Sequence, residues 1–126
     1  MTDTTTDPAA ISSIVNVLDC ADAERLADFW AAALGYPGRS AVTQFVVLSP
    51  PDGDGRPNLI LQQVPEGKVA KNRMHMDLHA PDREAALERL LALGARKIQE
   101  EPNCIGRYCW YLMADPEGNE FCLAPG

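Results

Sequence analysis

Positive charge is in short supply in this sequence. Eleven lysines and arginines face eighteen aspartates and glutamates, giving a net charge of -7 and an isoelectric point near 4.7. Nucleic acid and anionic membranes both need a positive face, so neither is expected as a partner. No apolar run is long enough to cross a bilayer as a helix. Residues 1–10 are rich in Thr and Asp and carry no apolar segment, so they read as a disordered tail and not as a secretory signal. The expected location is therefore the cytoplasm. No C-x-x-C pair occurs among Cys20, Cys104, Cys109 and Cys122, and buried free thiols are expected over a disulfide or a metal role. A glycine-rich phosphate loop, a Gly-x-Ser-x-Gly elbow and a His-Glu-x-x-His helix are also missing. Ser12, Ser13, Ser40 and Ser49 have no base beside them in sequence, which leaves serine chemistry without support.

What is present is a repeat. Leu18-Asp19-Cys20-Ala21-Asp22 leads into a helical run ending Ala33-Leu34-Gly35, and Leu78-His79-Ala80-Pro81-Asp82 leads into one ending Ala92-Leu93-Gly94. The two aspartates stand sixty positions apart, and Pro51-Asp52-Gly53 is echoed by Pro116-Glu117-Gly118. Two similar half-domains follow, with a ligand expected between or within them. At 126 residues and 46% hydrophobic content the chain suffices for one domain with its own core.

Each half reads as strand, helix and further strands. Residues 11–20 are β-branched and apolar enough for a strand, and Asp22 is a good helix cap. Leu26, Phe29, Trp30 and Ala33 form the stripe of a helix packed on a sheet, closed by Gly35. Strands are expected over 44–49 and 59–64, with a turn region at 50–57 between them and a linker over 65–71. The second half offers a strand over 73–80, a helix capped by Asp82 with Ala86, Leu87, Leu90 and Leu93 on its buried face, and a short strand over 96–99. A hairpin of 107–114 and 120–124 then closes around Asp115-Pro116-Glu117-Gly118-Asn119. Each half is thus β-α-β-β, with room for one more short strand.

Three stretches carry a family resemblance: Leu26-Ala27-Asp28-Phe29-Trp30 running into Leu34-Gly35-Tyr36; Asn72-Arg73-Met74-His75-Met76-Asp77-Leu78; and Ala114-Asp115-Pro116-Glu117-Gly118-Asn119-Glu120-Phe121-Cys122-Leu123. Together they resemble a glyoxalase-like subgroup of the vicinal oxygen chelate superfamily, which holds glyoxalase I, extradiol dioxygenases and the fosfomycin- and bleomycin-resistance proteins. The resemblance implies an α+β fold: two tandem βαβββ modules, over 11–65 and 72–124 of a single domain 11–126, forming a curved mixed sheet around a central pocket. It also implies a homodimer and, in the enzymes, one divalent metal held by His and Glu from both modules. The family's first-strand ligand lies seven residues before the aspartate that opens the helix, which gives His75 in the second module but Val15 in the first. The last-strand position gives Cys122 in the second module. In the first it gives Gln62, with Gln63 or Ile60 as alternatives because the loop length is uncertain. One His, one Cys, a Gln and a Val make a poor divalent site, so no cofactor is expected; the alternative is one divalent metal with His75 in an unorthodox set.

Strand alternation places Arg73, His75, Asp77 and His79 on one face and Met74, Met76, Leu78 and Ala80 under the helices. Buried on an interior strand, that polar row needs a ligand or mutual pairing, and both readings stand. His75 is the candidate acid or base, with Asp77 orienting it. Arg73, His79, Gln62 and Cys122 complete the candidate ligand-binding set, together with Arg107 to hold an anion and Trp110 to stack on a flat ligand. His79 can equally lie at the rim and Arg107 on the surface. Tyr108, Trp110 and Leu112 alternate with Cys109, Tyr111 and Met113, and sequence alone leaves open which set faces the pocket. Three functions compete: a small-molecule binder lacking the usual metal, a lyase or isomerase of the glyoxalase type, and a dimerisation or partner-binding module.

Overall fold

The computed structural model describes residues 8–9, 15–72 and 74–126, so residues 1–7 and 10 of the expected tail, residues 11–14 of the expected opening strand, and Arg73 lie outside it. The element order repeats as the sequence implies. Strand β1 (Asn16–Cys20) leads to helix α1 (Ala23–Leu34) and then to β2 (Gly38–Val42), β3 (Phe45–Ser49) and β4 (Leu59–Gln63). Strand β5 (Met76–Ala80) leads to α2 (Arg83–Ala92), β6 (Arg96–Lys97), β7 (Asn103–Ile105), β8 (Tyr108–Ala114) and β9 (Glu120–Pro125). These form two mixed sheets, ordered β1-β4-β3-β2 and β5-β9-β8-β6, with β7 paired to β8. In each sheet the strand before the helix runs parallel to the module's last strand, and the last two strands run antiparallel.

Both helices start by the same device. Asp22 Oδ1 accepts the Arg25 N–H at 3.2 Å, and Asp82 Oδ1 accepts the Ala85 N–H at 3.0 Å, each satisfying a donor the first turn would leave orphaned. Gly35, at φ 68, ends α1 in the left-handed conformation that a side chain disfavours. Leu26, Phe29 and Trp30 are buried as their spacing predicts, and Leu87 and Leu90 are buried on α2. One core joins the modules: the Trp30 ring meets Phe121 at 5.3 Å between centroids and Phe29 at 5.1 Å.

The Asp-Pro-Glu-Gly-Asn hairpin is the clasp between the halves. Buried Asp115 accepts the Trp30 indole N–H at 3.0 Å, the backbone N–H groups of Glu117 and Asn119, and the Asn119 side-chain amide. The Glu117 carboxylate reaches back to the N–H groups of Ala21 and Asp22, at 2.7 and 3.0 Å, just ahead of α1. The part of the family resemblance most specific in sequence is therefore structural.

Three expectations need correction. Of the polar row, Asp77 and His79 sit on β5, which is an edge strand and not an interior one, so their outward side chains meet solvent. Met74 is 84% exposed because it precedes the strand and escapes its alternation; only Met76, Leu78 and Ala80 pack on the core. Cys104 and Cys109 form a disulfide across β7 and β8, and only Cys20 and Cys122 are buried free thiols. The strand pairing that brings Cys104 opposite Cys109 has no trace in a spacing of five.

Candidate functional site

The parallel pairing of β5 with β9 sets Asp77 directly opposite Cys122. His75, just before β5, turns its Nε2 to within 3.2 Å of Asp77 Oδ1. The His75 and Asp77 side chains are about half open to solvent, at 45% and 56%, whereas Cys122 is 7% exposed. The donor atoms of all three lie within 4.8 Å of one another. Burial first, then the Asp77 charge and its hydrogen bond, push the Cys122 thiol up to about 11, against a smaller opposing pull from Lys71. At neutral pH Cys122 is thus a protonated, weakly nucleophilic thiol.

The pairing of β8 with β9 decides the face that sequence left open. Leu112 is opposite Cys122, so Leu112 and Trp110 share its face, while Tyr111 and Met113 turn to the core. Tyr111 is held there by Glu84, which accepts its hydroxyl hydrogen at 2.8 Å, and by the Arg83 guanidinium 4.7 Å above its ring. A cavity of about 290 Å³ brings the modules together: Val15 and Val17 wall one side, His75 and Glu120 the other.

Glu120 was missed by the sequence reading. Its buried carboxylate accepts the Asn72 N–H at 3.0 Å and has Lys68 Nζ at 2.9 Å as an ion pair. Burial raises its pKa, but Lys68 and the backbone N–H groups outweigh that and leave the carboxyl below its usual range. Alternation with Cys122, two residues on, would have placed Glu120 on this face. The lysine came from a segment read as a linker.

Other candidates fall elsewhere. His79 Nδ1 lies 3.2 Å from the Pro125 carbonyl oxygen, and His79 borders, together with Asp77, a groove of about 710 Å³ that also includes Arg56, Arg89 and Leu34. Arg107 is exposed in the β7–β8 turn, with no side-chain partner among the described residues, as the surface reading expects. Gln62 sits in the first sheet opposite Asp19 and Phe45. Gln63 is a structural residue: its Oε1 accepts the Ala23 N–H at the start of α1. Register also settles the alignment. Val17 and Asp77 each lie five residues before the helix cap, and Val17 pairs with Ile60 as Asp77 pairs with Cys122. Ile60, not Gln62, is the counterpart of Cys122.

The first module therefore offers Val15 and Ile60 where the superfamily enzymes place metal ligands, and neither side chain has a donor atom. A divalent ion bridging both modules does not fit this donor set.

The sequence matches the family model of the glyoxalase-like domain over residues 16–124. Among curated proteins none matches significantly. Similar solved structures include the fosfomycin resistance protein FosX from Mesorhizobium loti, with 15% identity, TM-score 0.69, and 93% of this chain and 94% of that one covered. A bleomycin resistance determinant encoded on the transposon Tn5 has 16% identity and TM-score 0.65, with 92% and 98% covered. A glyoxalase/bleomycin resistance protein/dioxygenase family enzyme from Burkholderia phytofirmans PsJN has 14% identity and TM-score 0.69, with 86% and 94% covered. At these identities the likeness is one of fold.

Proposed function

Because this chain belongs to the glyoxalase-like domain family, we propose that it binds a small organic molecule, aromatic ones included, without the usual divalent metal of the superfamily. One observation carries the reading: a cavity lined by Val15 and Val17 from one module and by His75, hydrogen-bonded to Asp77 outside the lining, from the other. Ligand pockets commonly combine a mostly apolar lining with a few placed polar groups. Trp110 and Leu112 extend the apolar surface on the Cys122 side. Binding would serve sequestration or delivery. A cytoplasmic homodimer belongs to the same proposal. Among the described residues no helix is long and apolar enough to cross a membrane. Sedimentation of the purified chain tests the dimer.

The test of binding is a screen of aromatic metabolites and antibiotics by titration calorimetry. Replacing His75 with Ala should weaken a hit by about tenfold, the scale of one hydrogen bond. A hit whose affinity ignores both His75 and Trp110 would place the ligand elsewhere.

A second reading is favoured by the His75–Asp77 contact. Two ligands of one tetrahedral ion, each about 2.0–2.2 Å from it, stand roughly 3.3–3.6 Å apart, a little beyond the 3.2 Å found here. On this reading His75, Asp77 and Cys122 form an unorthodox N/O/S site, or His75 acts directly as acid or base in a lyase or isomerase. Elemental analysis of the untagged protein separates these. Near-stoichiometric metal that is lost in His75→Ala would favour the metal site and retire the metal-free proposal.

A further inference from the structure

The disulfide has no place in the site just described, and its position is unlike that of a fold-holding staple. Cys104 and Cys109 are direct partners across the β7–β8 ladder, five residues apart. A cross-link closing so short a loop removes little freedom from the unfolded chain, because that contribution grows with loop length. Strand β7 pairs with β8 alone and gives no residue to the core. The bond therefore acts locally. It keeps Asn103 opposite Trp110 and Ile105 opposite Tyr108, at the edge of the face that carries Leu112 and Cys122.

The surroundings suit exchange with a small thiol. Cys104 is exposed, as are Ile105, Gly106, Arg107 and Tyr108 in the turn that joins it to Cys109. Arg107, exposed and without a side-chain partner among the described residues, lies two residues from Cys109, while the Arg83 guanidinium, paired with Glu84 at 2.9 Å, donates to the Cys109 carbonyl oxygen at 2.7 Å. Nearby positive charge favours a departing thiolate. Without the covalent tie, a ladder of three residues on an exposed hairpin is marginal by itself.

We propose that Cys104–Cys109 is a reversible thiol–disulfide exchange site whose reduction releases β7 and uncovers Trp110. A low-molecular-weight thiol attacks Cys104 Sγ as its thiolate, the S–S bond breaks, and Cys109 leaves as a thiolate that takes up a proton. A second thiol molecule then attacks the mixed disulfide and frees Cys104. Two small thiols are oxidised to one small disulfide, and the protein gains two S–H groups; the small disulfide drives the reverse. This inference needs no ligand and stands apart from the binding proposal.

The experiment equilibrates the full chain in reduced and oxidised glutathione mixtures spanning cellular ratios, then traps free thiols by alkylation and reads mass and tryptophan emission. The expected result is two added alkyl groups on the Cys104–Cys109 segment at reducing ratios, with far-ultraviolet circular dichroism unchanged and the emission shifted to the red. The shift should vanish in Trp110→Phe, leaving buried Trp30. In the Cys104→Ser/Cys109→Ser variant it should be present at every ratio. A pair that stays oxidised until denaturant is added would overturn the proposal. So would reduction that unfolds the whole chain, or reduction that leaves Trp110 emission unmoved.

Discussion

In the first module the strand before the helix sets Val17 beside Ile60; in the second the same two places hold Asp77 beside Cys122. Around the first pair stand Val15, Phe45 and Val47, and around the second His75, Glu120 and Trp110. The registers match, and both helices begin on the same aspartate cap. Architecture was thus kept in both halves while the pair at this register position changed from apolar to polar. The connecting loops diverged in the same way. Asp115 to Asn119 clasps the first module, whereas the loop at Pro51-Asp52-Gly53 makes only a local turn, with the Asp54 N–H donated to the Pro51 carbonyl oxygen. A repeat can share a backbone and assign its chemistry to one copy.

The sharpest way to break that comparison is at the clasp. Asp115→Ala strips the buried acceptor from the Trp30 indole and from Asn119, and each orphaned buried donor costs about 1–3 kcal/mol. We expect a loss of about 3 kcal/mol or more, read as a lower urea midpoint. The next test compares echoed acids. Glu117→Ala removes the acceptor of two backbone N–H groups ahead of α1 and should cost about 1–2 kcal/mol, as lost caps do. Asp52→Ala, at the echoed position in the first module, should change stability by less than about 0.5 kcal/mol. Equal effects would mean that the two loops do the same work, contrary to the geometry.

What sequence made legible follows from what side-chain order encodes. Helix caps and buried stripes are local patterns, and Asp22, Asp82, Leu26, Phe29, Trp30 and Leu90 all lie where periodicity puts them. Strand β2, Gly-Arg-Ser-Ala-Val, lacks apolar alternation because it is an exposed edge strand, so it was not seen. The grouping of His75 with Asp77 was half legible from alternation, but its partner Cys122 depends on register between strands 45 residues apart. Register likewise moves the Cys122 counterpart from Gln62 to Ile60, since the loop length between β3 and β4 is silent on pairing. The Lys68–Glu120 pair is a product of tertiary approach, and the disulfide follows from the pairing of β7 with β8 in a hairpin whose first strand was not expected.

Smaller effects sharpen the comparison where the modules agree. Asp22→Ala and Asp82→Ala should each cost about 1 kcal/mol, because each loses one cap bond of nearly the same length. A difference much beyond that value would show that Asp22 depends on the clasp, since Glu117 binds its N–H.

The buried thiols give the finest test, one in each module. Burial pushes Cys20 and Cys122 alike up to about 11, whereas an unfolded thiol titrates near about 8.5. A folded pKa raised above the unfolded one contributes stability that is fully present below the unfolded value and lost as pH rises through the folded value. Denaturation midpoints of chelator-treated protein should therefore hold below about pH 8.5 and fall towards pH 11. The causes diverge after burial: carboxylates led by Glu117 and Asp115 act on Cys20, and Asp77 acts on Cys122. Asp77→Asn removes the charge from Cys122 alone, so its alkylation should begin at lower pH while that of Cys20 stays put. If both thiols shift together, the variant has loosened the shared core. If neither shifts, burial alone governs the two, and the polar face of the second module leaves its thiol no different from that of the first.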